Sequence, residues 1–579
     1  MKQIVIVGGV AAGMSAAARL RRLDEHARIV VLERDRYVSY ANCGLPYHIG
    51  GAIPRRDSLL VVTPEHLRTT LDLDVRTEHE VLAVDRAAKR VRVRDLAGGA
   101  TYEEPYDVLV LAQGAAPLRP PIPGIDHPRV FTLRSIPDMD AIIAALAGGA
   151  RAAVVIGGSY IGVEAAEALR ERGLAVHLVE LQSQVMPLLD VEMATDLRYH
   201  MERNGVALHL GAAAAAIHDR GGAVTVELRG GERLDADLVV LAAGVRPVAG
   251  LATAIGLELG PTGGIKVDAH MRTSDPIIYA AGDMVEVADT VTGEPALVAL
   301  AGPANRQGRI VADHICGREA AYTTTQGSAI VKVFAMTGAM TGASERALRR
   351  AGRPFRKVYL HPSSHAGYYP GGTSMHLKLL FAPGDGKLLG AQIVGYDGVD
   401  KRIDVLATAI RAGMSVFDLE RLELAYAPPY SSAKDPVNMA GFVAANLLRG
   451  EVALWYSEEY EQLPRGTAFI DVRGPQEFAQ WHIPGAVNIP LPELRGRIDE
   501  VRRAAAEGPV RVYCMVGFRS YLAYRILRQH GLSDVATLAG GARTFTSFYR
   551  TTLATGAPGI PFVAYAEEDL AAQALADAE

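Results

Sequence analysis

The stretch SYANCGLPYHIGG, Ser39 to Gly51, holds one cysteine among small, turn-forming and aromatic residues. A thiol in such a loop can carry redox chemistry if an electron donor and a second sulfur lie within reach. The chain has three cysteines, Cys43, Cys316 and Cys514, and residues 38–50 contain only Cys43. A disulfide with a neighbouring cysteine is thereby excluded. Two chemistries remain, a sulfenate or a mixed disulfide with a small thiol, beside the plain alternative of an inert buried cysteine. Cys514 stands in a different setting. It ends the apolar run VRVY and opens the six-residue loop CMVGFR, with Gly517 and Arg519 just before the helical pattern SYLAYRIL. Successive backbone N–H groups of such a loop, with the helix N-terminus, make an anion cradle that lowers a thiol pKa and suits the terminal sulfur of a persulfide.

Electrons for either cysteine need a carrier, and the chain has two places for one. KQIVIV is a β-rich run, GGVAAG is a turn, MSAAARLRRLDE has helical periodicity, and ARIVVLE is a second strand closing on Glu33, with Arg34 next as a further candidate for the cofactor. The turn residues Gly8, Gly9, Val10, Ala11, Ala12 and Gly13 would offer N–H groups and a helix N-terminus to a pyrophosphate, while Glu33 would accept from ribose hydroxyls. Val10 replaces the middle glycine of G-x-G-x-x-G. The same pattern recurs in RAAVVIGGSYIGVEAAEALRERGLAVHLVE, with Gly157, Gly158, Ser159, Tyr160, Ile161 and Gly162 as the turn and Glu180 as the closing acid. Two such units predict two bound dinucleotides, one delivering a hydride and one staying bound. Glu180 would repel a 2′-phosphate, and LQSQ after it offers no arginine, which favours NADH and leaves NADPH possible.

Composition bounds the rest. At 579 residues the chain predicts three or four units, and 49% hydrophobic with 22% charged residues is an ordinary globular balance. A net charge of -5 over this length argues against nucleic acid as the main partner. So few cysteines fit a reducing compartment. MKQIVIVGG reads as a strand rather than a signal peptide, and no apolar run approaches the ~20 residues of a membrane helix. The expectation is a soluble, cytoplasmic protein with no membrane partner.

Three later segments end strands in turns: YDVLVLAQGAAP with Ala112 and Gly114, ADLVVLAAGVRPV with Gly244, and TSDPIIYAAGDMVEV with Asp283. With these, residues 1 to about 445 resemble the two-dinucleotide flavoprotein disulfide reductases. The resemblance implies FAD on the first unit, NAD(P)H on the second, and Asp283 at the ribityl–phosphate region. ANCGLPY, HAGYYPGG (His365 to Gly372) and LAYAPPYSSAKDPVN (Leu424 to Asn438) further resemble the coenzyme A-disulfide reductase branch, whose NADH oxidase and peroxidase relatives share much of the scaffold. It implies a coenzyme A site at Ser15, Arg19, Arg22, Ser39, Asn42, Asn305 and Lys434. Ser15, Arg19 and Arg22 share one helix face by spacing, a pattern common on solvated faces but fit for a phosphate-bearing thiol. It also implies that Tyr368 and Tyr426 lie over the partner subunit's cysteine, which requires a homodimer. No metal site is expected.

The C-terminal segments AFIDVRGPQEFAQWHIPGAVNIP and VRVYCMVGFRSYLAYRIL together resemble a rhodanese domain, making Cys514 and Arg519 its catalytic residues. A tyrosine-phosphatase-like loop differs by one residue of cysteine–arginine spacing. Asp471, Arg473, Glu477 and His482 are expected to brace this domain, and Cys316 to be core. The fold class expected is α/β: two Rossmann-like dinucleotide-binding domains, an α+β dimerisation domain and a C-terminal α/β rhodanese domain. The boundaries are 1–150 and 273–325 for FAD, 151–272 for NAD(P)H, 326–446 for dimerisation, 447–458 for a linker, 459–553 for rhodanese and 554–579 for a tail. The function expected is NADH-dependent reduction of coenzyme A persulfide, polysulfide or coenzyme A disulfide through a Cys43–coenzyme A mixed disulfide, Cys514 supplying sulfane sulfur. The rivals are an oxidase or peroxidase with a Cys43 sulfenate, and a sulfur-carrier module delivering persulfide to a partner protein.

Overall fold

The computed structural model describes residues 1–506 and 508–553, so the tail expected at 554–579 lies outside the described residues. By its internal contacts the chain forms two units, one of residues 1–181 and 205–327, the other of residues 182–204 and 328 onward.

The first unit is built on two parallel five-stranded sheets. One runs Ile278–Ala280, Val108–Leu111, Gln3–Val7, Arg28–Glu33, Asp74–Thr77. The other runs Val206–Leu210, Ala175–Glu180, Ala152–Ile156, Leu238–Leu241, Val130–Phe131. Their central strands are continuous apolar runs with both faces covered, as buried parallel strands require. Each sheet turns from its first strand into a helix, α1 (Ala11–Leu23) and α2 (Tyr160–Glu171). Gly8 and Gly157 have positive φ, and a Cβ on either would strike a backbone carbonyl, Ala112 O or Ala242 O, at 2.3 and 2.2 Å. Val10 and Ser159, by contrast, are the N-cap residues of the two helices with ordinary negative φ. That is why the middle glycine is dispensable here. Cys316 is half-buried beneath the first sheet's core.

The second unit includes α3 (Val191–Arg203), which its contacts group with an antiparallel sheet in the order Ala329–Val333, Met336–Gly342, Leu388–Gly395, Met375–Phe381, Arg356–Leu360. Lys378 is fully buried in this sheet, with its ammonium 2.8 Å from Asp190, 2.5 Å from Glu192 and 2.9 Å from Glu345. Three acids around one cation would be costly alone, and Lys357, 2.9 Å from Glu345, and Arg349 complete the balance.

A last parallel sheet runs Leu454–Trp455, Val535–Leu538, Val510–Tyr513, Ala468–Asp471, Val487–Asn488. Its edge strand Leu454–Trp455 falls inside the segment read from sequence as a linker. Trp455 is buried against Phe469 and Phe545, so the aromatic content of that segment is core material. This region includes helices α5 (Pro475–Gln480), α6 (Phe518–Gln529) and α7 (Gly541–Leu553); an unrelated helix, α4 (Ala301–Ile315), belongs to the first unit. No described helix is long and apolar enough to cross a membrane.

Candidate functional site

In the first unit the closing acids are folded back onto the glycine turns. The Gly9 N–H donates to Glu33 Oε2 at 2.7 Å, and the Gly158 N–H to Glu180 Oε2 at 2.6 Å. Burial pushes the Glu33 carboxyl up, opposed by the N–H groups of Asp35 and Gly9. The first-turn N–H groups of α1 have no carbonyl partner inside the helix and are available to a phosphate. A cavity of about 410 Å³ runs along this turn and is lined by Gly8, Val10, Ala11, Ala12, Glu33, Arg34, Ala112, Gly114, Asp283 and Cys43. Its donors and its carboxylate fit a dinucleotide. Burial also raises Asp283, against the pull of Arg134, whose guanidinium lies 3.8 Å away. Gly13 is not in that lining; a Cβ there would lie 1.9 Å from Gly8 O, so it closes the turn instead. Tyr160, Ile161 and Gly162 open α2, and Gly244 takes positive φ after the strand Leu238–Leu241.

A second cavity, of about 590 Å³, is lined by Ser15, Arg19, Arg22, Ser39, Asn42, Cys43 and Asn305. Six residues from three separate sequence segments thus converge on one space with the cysteine. α1 and α4 create it by crossing closely: a Cβ on Gly308 would lie 2.2 Å from Ala12 O. Ser15 Oγ hydrogen-bonds Asn305 Oδ1, and Arg19 is pinned by Asp313 at 2.7 Å. Arg22 is exposed. Arg309, one turn beyond Asn305 on α4, also lines this cavity, and sequence reading missed it. Its only signal was the i, i+4 spacing from Asn305.

Cys43 borders both cavities. It sits in the single turn Asn42–Gly44, where Asn42 Oδ1 accepts from the Cys43 N–H at 3.1 Å. Although the residue is open to solvent, the surrounding protein raises its thiol pKa by desolvation first, then through the charges of Glu164 and Asp283; Arg134 opposes them. Glu164, on α2, receives the Tyr47 hydroxyl at 3.3 Å, and burial pushes its carboxyl up to about 7. Neither Glu164 nor Arg134 was singled out from sequence.

The second unit holds the remaining residues. Tyr368 and Tyr426 join hydroxyl to hydroxyl at 2.7 Å across 58 positions of sequence, and both rings are exposed. Tyr369 instead packs edge-on to His365. Lys434 is exposed on the loop before Pro436–Leu448 and is not among the residues lining the cavity at Cys43.

Cys514 is buried at the end of Val510–Tyr513, and its Sγ accepts from the Gly517 N–H at 3.2 Å. Gly517 takes φ of 110° and caps α6, turning its own amide toward the sulfur. Arg519 makes two hydrogen bonds to Glu477, of 2.7 and 2.8 Å. Asp471 and Arg473 form a fully buried ion pair, and His482 stacks on Phe478. The carbonyls of Cys514 and Met515 accept from the N–H groups of Ala542 and Arg543 at the start of α7.

Comparison with known proteins agrees in outline. Residues 2–308 match the model of the pyridine nucleotide-disulphide oxidoreductases, 328–436 that family's dimerisation domain, and 456–547 the rhodanese-like domain. The chain is 35% identical over 449 residues, 77% of its length and all of the relative's, to a coenzyme A disulfide reductase of Staphylococcus haemolyticus. It superposes on reduced CoADR-RHD of Bacillus anthracis with a TM-score of 0.92 and 45% identity, covering 95% and 98% of the two chains. For an NAD-dependent persulfide reductase from A. fulgidus the values are 0.88 and 38%, covering 94% of this chain and 100% of that one.

Proposed function

The chain belongs to the pyridine nucleotide-disulphide oxidoreductase family, and from that premise we propose that it is an NADH-dependent reductase of coenzyme A persulfide, polysulfide or coenzyme A disulfide with an appended sulfurtransferase domain. FAD would be held by the turn Gly8–Gly13, by Glu33 and Arg34, and by Ala112, Gly114 and Asp283. NADH would be held by Gly157–Gly162, Glu180 and Gly244. Bound there, FAD would supply the electron pair, drawn from NADH, that resolves a disulfide at Cys43.

One observation carries the reading: Cys43 borders both the dinucleotide cavity and a cavity edged by Arg19, Arg22 and Arg309, of which Arg19 and Arg309 share the single carboxylate of Asp313, leaving the edge net positive. Cations there suit a thiol whose far end bears phosphates. The Cys43 thiolate attacks the inner sulfur of coenzyme A persulfide; the S–S bond breaks, hydrosulfide leaves, and Cys43–S–S–coenzyme A remains. Two electrons return that bond to two thiolates. Arg134 favours the thiolate, and Glu164 opposes it through its charge. The exposed Tyr368–Tyr426 pair supports a homodimer in which each pair protonates or orients the leaving thiolate at the partner's cysteine, with Lys434 reaching the same substrate. Cys514 would collect sulfane sulfur and pass it to the coenzyme A thiol. A cytoplasmic, reducing location fits a chain whose three cysteines are all free.

Replacing Cys43 with Ser abolishes NADH-dependent sulfide release while the protein keeps its flavin, and the purified wild type carries a coenzyme A adduct on Cys43 by mass spectrometry. Retention of sulfide release by the variant, or a sulfenate in place of the adduct with oxygen as the faster acceptor, returns the protein to the oxidase reading.

A further inference from the structure

The loop around Cys514 has one formal cation, Arg519, and the fold has already spent it. Glu477, on α5, accepts from both terminal nitrogens of Arg519 in a bidentate pair that is 15% and 22% exposed. Glu477 is itself fixed, because the Gly474 N–H donates to it at 3.0 Å. Against the upward push of burial, Arg519 and that N–H hold its carboxyl below the ordinary range, so the pair stays ionised at neutral pH. Arg473 is fully buried against Asp471 and faces no open space. What the loop shows outward is apolar. Phe518, beside Gly517, is 55% exposed, and Leu522, one turn on along the same face of α6, is 36% exposed. Met515 is buried and Val516 is half-buried. The sulfur accepts from the Gly517 peptide N–H, under a rim suited to a hydrocarbon arm.

Resting on the reading of Cys514 as a sulfur acceptor, we propose that Glu477 sets donor specificity: by neutralising Arg519 it excludes thiosulfate and selects sulfane sulfur carried on an organic thiol. The two donors place different charge at the sulfur. With a persulfide, the Cys514 thiolate attacks the outer sulfur of R–S–SH, the S–S bond breaks, R–S⁻ leaves, and Cys514–S–SH forms. With thiosulfate the same attack brings a thiolate against a dianion and expels sulfite, itself a dianion. That transition state needs a fixed positive charge, and a cation closed by a bidentate carboxylate supplies little. No net oxidation occurs in either case, since the outer sulfur moves as a neutral atom.

The test uses the full-length chain carrying Cys43→Ser, with cyanide as acceptor and thiocyanate as readout: Cys514–S–SH and cyanide give the Cys514 thiolate, thiocyanate and a proton. Glutathione persulfide and thiosulfate are compared as donors. The expected kcat/KM for thiosulfate is at least about tenfold below that for the persulfide, one charge contact's worth. Glu477→Gln narrows that gap about tenfold, because the ratio of two donors cancels any general damage to the fold. Equal use of both donors by the parent chain overturns the proposal, as does a ratio that Glu477→Gln leaves unmoved. Failure of both donors to place a sulfur on Cys514, read by mass spectrometry, sinks instead the sulfur-acceptor reading beneath it.

Discussion

The reactive groups are held in states set by their neighbours more than by their types. Cys43 has its pKa raised, so near neutrality it is mostly thiol, and its reactivity rises with pH to beyond the ordinary thiol range. Glu164 contributes through its negative charge, which opposes a second negative charge on sulfur. Glu164→Gln removes that charge, and the alkylation rate of Cys43 by iodoacetamide then reaches its midpoint at lower pH than in the parent. An upward or absent shift would show that the carboxyl is neutral or remote in solution. Legibility at this scale was uneven. Cys43, Cys514 and the two closing acids stand out in the sequence because each sits at a recognisable local spacing. Arg134, Glu164 and Arg309 do not, since each acts on a group more than a hundred residues or a whole element away.

Among the elements, parallel strands and glycine turns were readable because their burial forces continuous apolar runs and their turns force positive φ. α3 was not separable by sequence from the strands flanking it, yet its contacts belong to the second unit. Its acids explain why. Asp190, the N-cap of α3, and Glu192 close on Lys378, a fully buried cation on the strand Met375–Phe381. Lys378→Met leaves three acids facing one another, and the second unit should lose about 3–5 kcal/mol in denaturant unfolding. Glu345 shows the matching pH dependence. Despite burial, Lys378 and Lys357 hold its carboxyl well below the usual carboxylate range. A depressed carboxylate stabilises above its unfolded pKa and loses that contribution as pH falls through the folded one. The second unit therefore keeps this stabilisation through mild acid and yields it only in strong acid.

For the molecule entire, the proposed function assigns sulfur collection to the appended domain and reduction to the first unit. Cys514→Ser should leave NADH-dependent reduction of free coenzyme A persulfide within about twofold of wild type, while abolishing turnover that starts from a sulfane donor and catalytic coenzyme A. Equal loss on both would tie the two cysteines into one obligatory path. The appended domain is more than a bead on a string within its unit. Thr544, on α7, meets His361 at 2.8 Å and His376 at 3.3 Å, and Arg543 donates to Ser374 at 2.6 Å. These three partners stand at the two ends of the loop that presents Tyr368.

The same few residues of α7 supply the amides that hold the carbonyls of Cys514 and Met515. One short stretch of chain is thus the common hinge-pin of a sulfur loop and a tyrosine loop. A graft of the terminal module onto another scaffold would have to carry that stretch with it, and a cut ahead of Gly541 would unfasten both loops at a stroke.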